Sequence, residues 1–386
     1  MTGDEPERDP LSPGRTSPRV LALSSALFVL PLFVFTSIFA QALHPGFGFW
    51  FVNAFVFVGA AFVLVRLSGR SPWPWTGTLP FRPGQAAFGF ALGLANFLAL
   101  VVPLQFAAQL IFPPDLVEQM DSARIFRDRS QVELVLLVGA VTLAAPFAEE
   151  FFFRGVLQNA LHEARVRAVA AMLGVSLLFS ALHFDPVGFT ARTELGLLFG
   201  YLFWRTGSLW PAVFAHLANN LVSTVIFFVS QNAAPVEKTQ TEGVMEIVTA
   251  AGIGWAFAGA LIFAARRFPS LLARAEHPER QVAAPHARMY PTVAPWLVAA
   301  LLSIALVGAL EHRTIALNWF DIGHPLPTSV PEQTRDELTA LRNRARTGEV
   351  PIESYRVERE AVIARHKPLP DGTPKVPDVP PPLPAP

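Results

Sequence analysis

The stretch Pro146–Gly155, PFAEEFFFRG, sets two adjacent glutamates and an arginine inside a run that is otherwise apolar. An ionised group in a low-dielectric interior is costly without a partner, so such residues mark either a structural pair or chemistry. Which of the two applies depends on the chain around them.

That chain is 386 residues long, 52% hydrophobic, with 33 Phe and only 16% charged residues. This is too apolar for an ordinary soluble domain and too long for one apolar core. Stretches with few charges give about nine candidate spans: Val20–Ala40, Phe47–Val65, Ala86–Phe112, Val132–Ala148, Ala168–Leu182, Leu195–Trp204, Leu209–Ser230, Val244–Ala264 and Ala294–Leu310. Several are too short to cross about 30 Å of hydrocarbon, so their helices should extend into flanking polar residues. The expected fold class is an all-α polytopic membrane protein, with eight helices in residues 20–265 and an additional C-terminal transmembrane helix at 294–310.

The first span is about 20 residues long, shows no clear small-x-small cleavage site before the next span and is not read as a cleaved signal. Residues 1–19 are polar and Pro-containing and are expected to be disordered. A basic linker occupies 266–293, and 311–386 is a charged tail with nine prolines in its final 19 residues, read as a solvated stalk. With a cytoplasmic N-terminus the inner segments hold fifteen arginines, Arg66, Arg70, Arg82, Arg154, Arg165 and Arg167 among them, against Arg124, Arg127, Arg129, Arg192 and Lys238 outside. Positive residues favour the cytoplasmic side, so the N-terminus is expected inside, in a bacterial cytoplasmic membrane. The chain has no cysteine, which excludes disulfides, thiolate metal sites and cysteine nucleophiles.

Well inside the spans the only acids are Glu149 and Glu150, and only His183 and His216 of the nine histidines lie in or at the lip of a span. On a helix Glu150 and Arg154 are one turn apart and can pair. Glu149 points about 100° from Glu150 and about 140° from Arg154, which leaves it without a local counter-charge and available as a base. His216 and Asn220 share a helix face and form a candidate oxyanion site, while a glutamate and a second histidine can hold a water for attack on a carbonyl. Taken singly, Glu150–Arg154 also reads as a structural ion pair, and Asn53, Asn96 and Asn219 as packing groups. By hydropathy alone Glu149 lies near the inner end of its span and His183 at the outer end of its own. They meet only if the His183 helix starts later, tilts, or breaks near Asp185–Pro186.

EEFFFRG, FSALH and HLANN, in that order, resemble the EExxxR, FxxxH and HxxxN motifs of the CAAX-processing and bacteriocin-immunity (CPBP/Abi) intramembrane proteases, the type II CAAX prenyl endopeptidase group. The resemblance covers about residues 135–229. It implies an eight-helix intramembrane protease core, with Glu149 as water activator, His183 sharing that water, His216 and Asn220 stabilising the oxyanion, and Glu150 with Arg154 in support. It also implies a glutamate-dependent, metal-independent endopeptidase without cofactor. Zinc on Glu149, His183 and His216 is the less favoured alternative, since HExxH is absent. The expected partners are a peptide or membrane-protein substrate and the lipid bilayer, with no nucleic acid, and the site is expected to open to the cytoplasmic side. A non-proteolytic scaffold or immunity-type protein keeping the fold is the rival reading. A proton or ion carrier using Glu149 is a third, disfavoured because the chain shows no internal repeat.

Overall fold

The computed structural model describes residues 15–127, 129, 131–231, 240–274, 288–326 and 331–365. Each expected span is a helix: α1 Pro18–Leu43, α2 Pro45–Leu67, α3 Pro83–Ile111, α4 Gln131–Glu163, α5 Ala168–Ala181, α6 Phe189–Thr206, α7 Trp210–Gln231, α8 Gln240–Arg267 and α9 Met289–Leu310. Seven of them, all but α5 and α6, are long and apolar enough to cross a membrane. The chain is an all-α integral membrane protein.

Helix starts follow local chemistry. Proline occupies the first position of α1, α2 and α3, where its missing N–H costs nothing. Ser17 and His44 cap the first two through side-chain acceptors to Val20 N and Phe47 N. The first helix therefore begins inside the segment expected to be disordered, whose residues 1–14 lie outside the described residues. The basic linker is likewise shorter than 266–293, because α8 runs through Arg267 and α9 starts at Met289. The last 19 residues lie outside the described residues.

The longest helix, α4, has 33 residues and spans about 50 Å. Apolarity alone ended this span at Ala148, but the helix continues through EEFFFRG, so Glu149 sits near its middle rather than near an end. Phe151, Phe152 and Phe153 are fully or almost fully buried: Phe152 and Phe153 pack on Phe57 of α2, Phe153 also on Phe179 of α5, and Phe151 on Trp73. They are core, which is why the polar residues of this segment are held away from lipid.

The shortness of α5 matters most for function. Its 14 residues rise about 21 Å, too little to cross about 30 Å of hydrocarbon. The chain turns at 182–188 and returns as α6, so α5 and α6 form a re-entrant hairpin whose tip lies at the depth of Glu149. Of the three ways for His183 to reach Glu149, the break near Asp185–Pro186 is the one the chain adopts.

The bundle end that carries the N-terminus is tied by Arg70, which reaches Glu163 at 2.8 Å and the Thr16 carbonyl at 3.0 Å. The opposite end carries the α1–α2 corner, the segment between α3 and α4, and residues 312–365. The latter departs from a solvated stalk: His312–Gly323, Glu332–Thr347 and Ile352–Arg365 are helices sharing a small core around Leu317, Leu341 and Tyr355. They are fastened to the bundle by Asn318 Nδ2 on the Leu43 carbonyl and by Arg346 on buried Glu133 at the start of α4, 3.3 Å apart.

Helices α3 and α7 cross closely because α3 carries Gly89 and Gly93, one turn apart. A Cβ on Gly89 would lie 2.2 Å from the Pro211 carbonyl oxygen, and one on Gly93 2.5 Å from that of Ala215, the residue before His216. Small residues at such crossings let backbones touch. Gly93→Leu is therefore expected to force α7 outward and cost about 1–3 kcal/mol. Gly174→Leu, which meets nothing within 4 Å, is expected to change little. Thermal unfolding of the two variants in detergent checks this.

Candidate active site

Arg154 and Glu150 are both fully buried and pair at 2.8 Å on one face of α4. From Phe151 to Gln158 the helix is widened to i→i+5 turns, and the pair persists across that widening. Arg154 also donates to the Gly196 carbonyl of α6 at 3.0 Å and lies over the rings of Phe179 and Phe199 at 4.8 and 5.4 Å. The guanidinium thus joins α4 to both arms of the hairpin.

Glu150 does more than balance that charge. Its Oε1 also accepts from His216 Nδ1 at 3.0 Å. With a carboxylate at Nδ1, the proton of the neutral ring resides there and Nε2 faces the other way, 3.9 Å from Glu149 Oε2. Phe199 stacks on the ring at 4.8 Å and Phe179 meets its edge, so the imidazole is held on two sides. Glu149 itself keeps 16% of its side chain exposed and faces a cavity, in contrast to Glu150. The two neighbouring acids do occupy different environments.

His183 lies two residues beyond the end of α5. Its Nδ1 contacts the Phe179 carbonyl at 2.9 Å, and a carbonyl can only accept, so Nδ1 carries the proton and Nε2 is left as an acceptor. The turn that holds it is built on Asp185, whose Oδ1 accepts from Val187 N and Gly188 N and whose Oδ2 takes the Arg192 guanidinium.

Asn220 is positioned by a backbone defect in α4. The helix is widened at Ala140–Ala144, where Ala145 N bonds the Ala140 carbonyl. The next bond in that register would run from residue 146 to Val141, but Pro146 has no N–H. Asn220 Nδ2 takes the stranded Val141 carbonyl at 2.9 Å, and its Oδ1 accepts from Asn219 at 3.1 Å. One amide hydrogen of Asn220 remains for the cavity.

Glu149, His183, His216 and Asn220 all line one cavity of about 310 Å³, together with Asn219, Arg192 and Gln105. Glu150 and Arg154 lie behind it. Of the asparagines read as packing groups, Asn53 bonds its own helix at Phe49 and Asn96 donates to Glu194 at 2.9 Å. Glu194 and Arg192 escaped the sequence reading because they fall between two short apolar runs. The shortness of those runs was the available signal, since neither could cross alone. Among the described residues no three His, Cys, Asp or Glu side chains are grouped so as to hold a metal ion.

The cavity reaches from Glu149 to exposed Ser122 in the segment between α3 and α4. That is the end opposite the N-terminus. The N-terminus and the mouth, both expected on the cytoplasmic side, thus lie at opposite ends of the bundle among the described residues. A second, largely apolar hollow of about 730 Å³ adjoins at Glu149 and His183, between α1 and the turn.

Residues 131–222 match the model of the family described as type II CAAX prenyl endopeptidase Rce1-like. The family resemblance holds. This Rce1-like segment runs from the first turn of α4 into α7 and contains all six site residues. The chain is also 32% identical over 89 residues to "Putative membrane peptidase YdiL" of Bacillus subtilis (strain 168), covering 23% of this chain and 35% of that protein. To "Uncharacterized protein YpbD" of the same organism it is 31% identical over 126 residues, 31% of this chain and 60% of that protein. The match therefore spans about a third of one relative and three fifths of the other. No solved structure matches the chain.

Replacing Asn220 by Ala leaves the Val141 carbonyl without a donor and is expected to cost about 1–3 kcal/mol. Pro146→Ala supplies the missing N–H, so the double variant is expected to be more stable than Asn220→Ala alone. A double-mutant cycle in thermal stability reads this directly.

Proposed function

We propose that this chain is an intramembrane endopeptidase that hydrolyses a peptide bond with a water activated by Glu149. The observation that carries the reading is the convergence of Glu149, His183, His216 and Asn220, from α4, the hairpin turn and α7, on one cavity that reaches the surface.

Each group has chemistry suited to a step. The Glu149 carboxylate takes a proton from water, while His183 Nε2 accepts the second hydrogen and orients the oxygen. The oxygen adds to the carbonyl carbon. The spare N–H of Asn220 is directed to the resulting oxyanion, and His216 can donate from Nε2 in its imidazolium form, for which Glu150 is the counter-charge. When the C–N bond breaks, Glu149 returns its proton to the leaving amine. Glu150 and Arg154 touch neither water nor substrate; they set the ring of His216, much as a second carboxylate orients a catalytic histidine elsewhere. No metal enters these steps. The protein would reside in a bacterial cytoplasmic membrane with its N-terminus inside.

Glu149→Gln keeps the shape and removes the base. It is expected to lower cleavage by at least about 10²-fold with unchanged thermal stability. The measurement is a comparison of membrane-protein fragments in cells expressing wild type and variant at equal levels; identical profiles, with the variant still complementing a deletion, would favour a scaffold instead. Exhaustive chelation is expected to leave the fragments unchanged. Loss of cleavage restored specifically by zinc would refute the metal-independent mechanism.

A further inference from the structure

The geometry also bears on which side of the membrane supplies the substrate. The α5–α6 hairpin enters from the N-terminal end and turns at mid-depth, so it forms the floor of the cavity. Above that floor the lining continues through Gln105 and Thr224 to exposed Ser122, and among the described residues none from the loops at the N-terminal end contributes to it.

The charge pattern then assigns the ends. The N-terminal end carries Arg66, Arg205 and Arg267 in the last turns of α2, α6 and α8, and Arg82, Arg165 and Arg167 in short loops. At the mouth end the short segment between α3 and α4 has Arg124, Arg127 and Arg129, and the first two face Glu118 and Asp121 at 3.7 and 2.9 Å. Arg154 and Arg192, which hydropathy alone placed in loops, are inside the bundle, so neither reports orientation. The charged helices of residues 312–365 sit at the mouth end and belong to the 76-residue tail 311–386, and segments longer than about 60 residues translocate largely regardless of charge. The arginine excess at the N-terminal end thus survives the correction.

We infer that the cavity faces away from the cytoplasm, and that the substrate is a peptide segment exposed on that outer face: the outer flank of a membrane-anchored or exported polypeptide. The substrate class rests on the peptidase reading; the orientation does not. The hairpin stands beneath the cavity, whereas its upper walls, with uncharged Gln105, Ser122, Ser223 and Thr224, suit an extended peptide backbone.

The absence of cysteine makes the test direct. Single-cysteine variants Arg124→Cys and Arg205→Cys of the full chain are expressed in intact bacterial cells and exposed to a membrane-impermeant maleimide. Arg124→Cys is expected to label in intact cells as fully as after lysis, and Arg205→Cys only after lysis. The reverse pattern overturns the orientation. Glu118→Cys, exposed in the same segment, serves if the Arg124 variant fails to accumulate. In parallel, fragments seen with wild type and missing with Glu149→Gln are mapped to their cut positions. Cuts on the outer flank support the substrate class, and cuts on the cytoplasmic flank overturn it. Expected labelling with no Glu149-dependent fragment would sink the peptidase reading and the substrate class together, with the orientation standing.

Discussion

A guanidinium with no exposed surface in the middle of a membrane helix must be neutralised where it stands. Arg154 is neutralised by Glu150, and the rest of the site is arranged around that pair. Because Glu150 also accepts from His216, and Arg154 also donates to Gly196, one ion pair ties α4 to α7 and to α6. Breaking such a pair by removing one partner typically costs several kcal/mol, since it strands the other charge in a dry interior. The pair is therefore structural in energy and functional in consequence. It fixes the ring plane and proton position of His216 without touching the cavity.

A second constraint is steric. A helix of 14 residues cannot cross the bilayer, and the backbone of the turn that follows it has polar groups that lipid cannot satisfy. Asp185 meets part of that demand by accepting from Val187 and Gly188, and the remainder must face a hydrated space. The hairpin so produces a polar floor at mid-depth and an unfilled volume above it. Glu149, at the centre of α4, faces that volume.

The parts of this arrangement legible in the sequence are those that rest on composition and short-range helix geometry. Ionisable residues are rare in apolar runs, so Glu149, Glu150, Arg154, His183 and His216 stood out, and one-turn spacing correctly paired Glu150 with Arg154. The contact between Glu150 and His216 joins residues 66 apart and leaves no periodic trace. Depth was misjudged for a related reason. Hydropathy ends a span at the first charges, whereas α4 continues through them because tertiary partners satisfy them. Which end of the bundle carries the mouth left no trace in the sequence, since it depends on where the hairpin stops rather than on any loop charge. Arg192 was read as an outer-loop residue and Glu194 was passed over for the same cause, since both fall between two short apolar runs.

Pro146 shows how a local defect can serve a distant group. In a straight α-helix a proline removes one bond and kinks the chain. Here the preceding turns are already widened, so the carbonyl left over belongs to Val141 and points across to α7, where Asn220 takes it. The Asn220 carboxamide is thereby held with one donor spent and one directed to the cavity, while Asn219 fixes its oxygen. Hydrolysis within a membrane needs both a donor that does not reorient and a supply of water at the carbonyl. In the proposed mechanism the stranded carbonyl of α4 would meet the first need and the short hairpin the second. Neither feature is explicable by stability alone, because a proline-free α4 and a full-length α5 would each satisfy more backbone.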